Sequence, residues 1–142
     1  MYLLRLFTRM AVFISHSEEE TLRWAEEYAK TLRAGDVVLL EGEMGAGKTA
    51  IAKGIAAGLD ISAEVTSPTY AYINSYGDRL FHFDCYRVED EAQAERLGFS
   101  EYFELGGICL VEWSDHIAGL LPPHCKTVTV KKVGETVREI EF

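Results

Sequence analysis

Residues 42 to 49 read GEMGAGKT, and Gly42, Gly47, Lys48 and Thr49 meet the spacing G-x-x-x-x-G-K-[ST] of a phosphate-binding loop without a mismatch. In such a loop successive backbone N–H groups turn inward at the start of a helix, where the helix dipole adds partial positive charge. On this reading Lys48 reaches the β- and γ-phosphate oxygens of a nucleotide, and Thr49 offers its hydroxyl to Mg2+. Gly45 and Gly47 allow backbone conformations and a close approach that a Cβ obstructs. Four fixed positions arise by chance in on the order of one chain in two hundred of this length, so the flanking elements must support the motif.

Two acids further along have the types and placement to complete such a site. Asp84 stands between Phe83 and Cys85 in a run that reads as a strand, where Asp is depleted; a metal, a phosphate-bound water or a buried Arg partner would each account for it. Period-two alternation puts His82, Asp84 and Tyr86 on one face and Phe81, Phe83 and Cys85 on the other. His82 by itself reads as a hydrogen-bonded core histidine. Glu112 closes the apolar run GGICLVE, and a carboxylate at the carboxyl end of a buried strand is what a phosphate-loop NTPase needs beside its Thr to hold magnesium.

The elements that position these residues are legible on either side of the loop. DVVLLE, residues 36 to 41, is the continuous apolar run of a strand covered on both faces in a parallel sheet. TAIAKGIAAGLD, residues 49 to 60, reads as a small-residue helix whose Ala52 and Ala56 let it lie close against that strand. Strand, glycine loop and helix follow in the order the motif requires. AVFISHS reads as a short strand, and the helix after it starts at Ser17 with Glu20 in capping-box spacing and acids in its first turn. Leu22, Ala25, Tyr28, Ala29 and Leu32 form its apolar stripe, its acids face water, and Gly35 is expected to close it. Residues 61 to 88 read as a loop and a hairpin that turns near Gly77 and Asp78. Residues 88 to 103 read as helix with a break near Gly98, and 126 to 142 as a hairpin about Gly134 that serves as scaffold. The expected fold class is α/β: a P-loop NTPase-like three-layer fold with a central, mostly parallel sheet and antiparallel hairpin strands.

A chain of 142 residues without a Pro/Gly/Ser-rich linker reads as a single domain over residues 1–142. Met10 offers an alternative start, which makes residues 1–9 a dispensable extension. The opening stretch lacks a cleavage site and is too short to span a bilayer. With 48% apolar and 26% charged residues the chain is far from the composition of disorder. A net charge of −9 gives no electrostatic footprint for a phosphate backbone, so nucleic acid, if involved, is held by a partner. Cys85, Cys109 and Cys125 are an odd number without C-x-x-C spacing, which argues against disulfides or zinc and for small buried hydrophobes in a cytoplasmic protein.

GEMGAGKT, TSPTY, HFDCYR and LVEWSD, in this order and at these separations, closely resemble the TsaE family, the small ATPases of bacterial tRNA threonylcarbamoyladenosine biosynthesis. The likeness spans residues 10 to 142. The resemblance implies a cytoplasmic P-loop protein that hydrolyses ATP with Mg2+ and binds the partner subunits TsaB and TsaD. TsaD, with its own metal, transfers the threonylcarbamoyl group to an adenosine beside the anticodon of tRNA, while the ATPase resets the partner complex. Carried across by motif, the resemblance implies nucleotide binding by Met44, Gly45, Ala46, Gly47, Lys48, Thr49 and Ala50, and magnesium binding by Thr49 and Glu112. It also implies a catalytic set of Lys48, Asp84 and Glu112, with Asp84 orienting or deprotonating the attacking water. Ser67 and Thr69 fall in what resembles a nucleotide-sensing switch loop. Trp113 resembles a position that matters for activity, although its residue type fits a core aromatic equally well. The departures are Met44 where the family usually has Leu, Cys85 where it often has Leu, and Ser114 where it often has Pro.

Two other classes share the loop. A small-molecule kinase needs a substrate pocket and an Arg-bearing lid, for which this chain leaves little room, and a nucleotide-gated assembly module needs no turnover at all. A GTPase is disfavoured by the lack of an N-K-x-D stretch. Arg79 and Arg87 flank Asp84 without an assigned role, so hydrolysis is expected to be slow alone and completed by partners. The adenine-reading residues are not identified; the junction Ser15 to Thr21 and the C-terminal hairpin are the candidates.

Overall fold

Val37–Glu41 (β2), the strand that delivers the glycine loop, lies inside a sheet, as its unbroken apolar run requires. It pairs in parallel with Ile108–Glu112 (β5) on one side and Lys126–Lys132 (β6) on the other. Leu80–Asp84 (β4) pairs in parallel with β5, and Ile73–Tyr76 (β3) closes that edge as the antiparallel hairpin partner of β4. At the opposite edge Arg138–Glu141 (β7) folds back antiparallel on β6, and Val12–Ser15 (β1) pairs antiparallel with β7. The order is β1-β7-β6-β2-β5-β4-β3. This computed structural model describes residues 11–62 and 72–142, so Ser67 and Thr69, expected in a switch loop, lie outside the described residues.

Side-chain alternation divides the core into two. Val38, Leu40, Leu80, Ile108, Leu110 and Val128 point to one face, where helices Glu18–Ala29 (α1) and Lys48–Gly58 (α2) supply Ala25, Ala29, Ile51, Ala52, Ile55 and Ala56. Val37, Phe81, Phe83, Cys109 and Val111 point to the other. There they meet Val88, Ala94 and Phe99 from the Glu91–Arg96 (α3) and Phe99–Tyr102 (α4) region, and Ile117 from a 3-10 helix, Ser114–Leu120. The sheet is thus sandwiched, as the sequence indicates, and Gly98 in the left-handed region (φ 82°) marks the break between α3 and α4. Cys85 and Cys109 are buried free thiols, each pushed up to about 12 by burial, which fits small hydrophobes rather than nucleophiles. Among the described residues no helix is long and apolar enough to cross a membrane.

Ala52 and Ala56 are buried in the core shared with the sheet, but the closest packing of α2 is with α1. A Cβ at Gly54 would stand 2.4 Å from Ala25 Cβ and 2.6 Å from the Leu22 carbonyl oxygen, and one at Gly58 would stand 2.5 Å from the Glu26 carbonyl oxygen. The two backbones meet where side chains would have kept them apart. One boundary departs from expectation: α1 ends at Ala29 and not at Gly35. Its last turn tightens through Lys30 N to Glu27 O at 3.1 Å and Thr31 N to Tyr28 O at 2.9 Å, and the Thr31 hydroxyl donates to the same Tyr28 carbonyl. Gly35 (φ 90°) instead serves the turn in which Asp36 accepts from Arg33 N at 2.8 Å.

Candidate active site at the carboxyl ends of the parallel strands

From Glu41 the chain enters the loop at Gly42, where only glycine fits: a Cβ there would stand 2.6 Å from the Val130 carbonyl oxygen. Gly45 (φ 78°) and Gly47 (φ 117°) hold left-handed conformations that L side chains rarely adopt. Gly47 is also the N-cap of α2, so no side chain caps that helix, and no acid lies in its first turn. The other two long enough to compare differ. Ser17 accepts from Glu20 N at 3.1 Å at the head of α1, beside three acids, while Asp90 accepts from Gln93 N at 2.8 Å at the head of α3. The first amides of α2 therefore have neither an intrahelical acceptor nor a capping side chain, and an anion is the group they lack.

Lys48 is only 8% exposed. Its Nζ lies 3.6 Å from Glu112 Oε1, an ion-pair separation longer than a hydrogen bond, and 4.6 Å from the centre of the Trp113 ring. The other carboxylate oxygen, Oε2, accepts from His82 Nε2 at 2.6 Å. Burial raises the Glu112 pKa, but the hydrogen bond and charge of His82 and the Lys48 ammonium outweigh burial and hold it below the ordinary carboxylate value. Asp84 and Glu112 are register partners at the ends of neighbouring parallel strands. Asp84 is half-buried, and its Oδ1 accepts from Tyr86 N at 3.0 Å in the turn that terminates β4.

A cavity of about 740 Å³ collects these groups. Met44, Gly45, Gly47, Lys48, Thr49 and Ala50 line it together with Asp84, Glu112 and Trp113. The β1–α1 junction contributes His16, Ser17, Glu18, Glu19 and Thr21, and the C-terminal hairpin Glu135, Thr136 and Arg138. Of the loop residues expected to touch nucleotide, Ala46 alone does not line this cavity: it is buried and lines a second one of about 680 Å³, which shares Gly45, Lys48 and Trp113 with the first. Trp113 adopts φ 57° and ψ 45°, a left-handed conformation that is a genuine outlier for a bulky residue and recurs at functional sites. Its half-buried ring lies 5.0 Å from that of Tyr86 and beside Lys48, so it borders the cavity while also packing against the second core.

The family model of the threonylcarbamoyl adenosine biosynthesis protein TsaE matches residues 15–140. The chain belongs to the TsaE family. Its sequence is 46% identical over 127 residues to the tRNA threonylcarbamoyladenosine biosynthesis protein TsaE of Bacillus subtilis (strain 168), covering 87% of this chain and 79% of that one. It is 36% identical over 129 residues to the protein of the same name from Treponema pallidum (strain Nichols), covering 89% and 96%. In three dimensions it is similar to the crystal structure of Bacillus subtilis YdiB, with a TM-score of 0.80, 37% identity, and coverage of 94% of this chain and 84% of that one.

In this TsaE-family chain the hydroxyl of Thr49 and the carboxylates of Asp84 and Glu112 share one cavity, an all-oxygen set suited to a hard cation such as Mg2+. Among the described residues no three His, Cys, Asp or Glu cluster as a self-sufficient metal cage. Arg79 and Arg87, which flank Asp84, are both exposed. The arginine that does reach the loop is one that spacing does not single out. Arg138 Nε donates to the Ala46 carbonyl at 2.8 Å, and its Nη1 donates to the Gly134, Glu135 and Val137 carbonyls at 3.2 to 3.4 Å. The C-terminal hairpin, read from its alternation as scaffold, thus also supports the glycine loop.

Proposed function

We propose that this chain is the Mg2+-dependent ATP-binding and ATP-hydrolysing subunit of tRNA threonylcarbamoyladenosine modification. It acts in the cytoplasm on a TsaB–TsaD complex and does not transfer the group itself; tRNA is engaged only through those partners. The observation that carries this reading is a single cavity containing the uncapped start of α2, the buried Lys48, the Thr49 hydroxyl and the paired carboxylates Asp84 and Glu112.

Each side chain then has one task. The amides of Gly45 and of residues 47 to 50, with the Lys48 ammonium, bind the β- and γ-phosphates. Thr49 and Glu112 would hold magnesium, which when bound neutralises charge on the phosphates. Asp84, tethered through Oδ1 to Tyr86 N and open to the cavity, orients the attacking water or takes its proton. The β1–α1 junction and the hairpin residues Glu135, Thr136 and Arg138 line the same cavity and are the groups left to meet the nucleoside. Arg138 is occupied by four carbonyls, and Arg79 and Arg87 are exposed, so a transition-state cation comes from a partner and turnover by the isolated chain is slow.

Phosphate release measured with and without TsaB and TsaD tests this directly: a rise on adding both partners is expected, and equal rates would remove partner activation. In calorimetry with ATP and Mg2+, Lys48→Ala is expected to lose affinity, whereas Asp84→Ala keeps affinity and loses turnover. Failure of Asp84→Ala to bind ATP would make its role structural.

A further inference from the structure

We propose that His82 is a positioning residue for magnesium: by holding Oε2 of Glu112 it reserves Oε1, the oxygen nearer Lys48, for the metal. The inference rests on the ATP and magnesium reading above.

The register creates the contact. On β4, His82 faces Leu110 and Asp84 faces Glu112, so the imidazole lies two residues behind the carboxyl end of the sheet and reaches forward to the last residue of β5. His82 is 1% exposed, and its Nε2 donates to Glu112 Oε2 at 2.6 Å; a carboxylate only accepts, so the hydrogen belongs to the ring. Glu112 is therefore gripped unequally, with 2.6 Å at Oε2 against 3.6 Å between Oε1 and Lys48 Nζ.

The second ring nitrogen shows what the histidine is for. Nδ1 is buried and has no hydrogen-bond partner among the described residues. Buried polar atoms are nearly always paired, and an exception calls for a reason. A histidine kept merely to fill the core would be better replaced by a residue with no nitrogen to leave unpaired. His82 keeps an orphaned nitrogen in order to make one short bond, and that bond ends on the carboxylate of the site.

The consequence appears when Lys48 turns to the phosphates. The ammonium then releases Oε1, and the terminal torsion of a glutamate is broad and poorly restrained by itself. With His82 in place the carboxylate cannot follow the lysine or swing out of line. Partners that orient a metal-ligating group in this way are worth about 10- to 100-fold in metal affinity.

The test uses the full chain and a non-hydrolysable ATP analogue, with analogue affinity measured by calorimetry in EDTA and across a Mg2+ titration. His82→Leu removes the donor, His82→Gln keeps an N–H that can reach Glu112, and His82→Asn is polar but too short. The expected result is equal affinity in EDTA for all four proteins. The half-saturating Mg2+ concentration should rise about 10- to 100-fold in His82→Leu and His82→Asn, with most of the loss recovered in His82→Gln. If His82→Leu does not fold, the Asn and Gln variants carry the comparison. An unshifted Mg2+ requirement, or an affinity loss equal with and without the metal, overturns the proposal while leaving the magnesium reading intact. If the wild-type protein shows no effect of Mg2+ on analogue affinity, the magnesium reading falls, and this proposal with it.

Discussion

Glu112→Gln should make the protein bind metal-free ATP more tightly while making the unliganded protein less stable. On the proposed function the carboxylate competes for the cation that phosphate needs, since Oε1 stands 3.6 Å from Lys48 Nζ. At that distance two unit charges attract by about 4 to 5 kcal/mol at an effective dielectric of about 20. The same carboxylate repels any anion entering the cavity. If about a third of the attraction survives desolvation, neutralising Glu112 strengthens metal-free binding about tenfold. The amide is a poorer ligand for a hard cation, so added Mg2+ no longer improves affinity. Without nucleotide the change leaves the Lys48 ammonium, only 8% exposed, without its charge partner, and breaking a buried pair costs about 3 to 5 kcal/mol. Because the folded-state pKa of Glu112 is lowered, its stabilising contribution is present above the unfolded carboxylate pKa and is lost as pH falls through the folded value. The thermal advantage of wild type over the variant therefore shrinks on acidification below the ordinary carboxylate range. Calorimetric titration of ATP in EDTA, with thermal unfolding at several pH values, reads all of this. A folded Glu112→Gln protein that binds metal-free ATP no better than wild type would refute the competition between Glu112 and phosphate for Lys48.

Two further substitutions probe the parts that hold the loop. Gly54→Ala should lower the thermal midpoint by several degrees, because the usual helix gain of about 1 kcal/mol is outweighed by overpacking of about 1 to 3 kcal/mol against Ala25 and Leu22. A raised midpoint would show that α1 and α2 are not in backbone contact. Arg138→Ala should fold yet weaken ATP affinity about tenfold in calorimetry, since a charge-assisted hydrogen bond to the Ala46 carbonyl is worth about 1.5 to 3 kcal/mol. Arg138→Lys should recover only part of this, as an ammonium cannot reproduce the planar fork, and unchanged affinity in both would reduce Arg138 to a hairpin residue.

What the sequence made legible is what is local. Gly45 and Gly47 announce backbone conformations that the loop does adopt, the run from Val37 to Leu40 announces a strand covered on both faces, and Ser17 and Gly98 announce helix boundaries where they fall. A strand of Val and Leu that ends in Glu112 is likewise a local contradiction that points to a site. What stayed hidden is carried by pairings between distant segments. Period-two alternation sets His82 and Asp84 on one face, but only the parallel register of β4 on β5 converts that into a bond from His82 to Glu112, thirty residues on. Without the register, a hydrogen-bonded core histidine is the correct description and also an incomplete one. Arg138 is harder still, since its contact with Ala46 spans 92 residues and depends on β7 folding back beside the loop through β6. The early end of α1 has a similar origin, because the tightening at Lys30 and Thr31 competes with a glycine signal at Gly35 that serves a different turn. The glycine loop can thus be located from eight residues. The groups that hold its lysine, its acid and its carbonyls in place are distributed over the whole sheet, and that distribution explains why substitutions far along the chain should be felt at the loop.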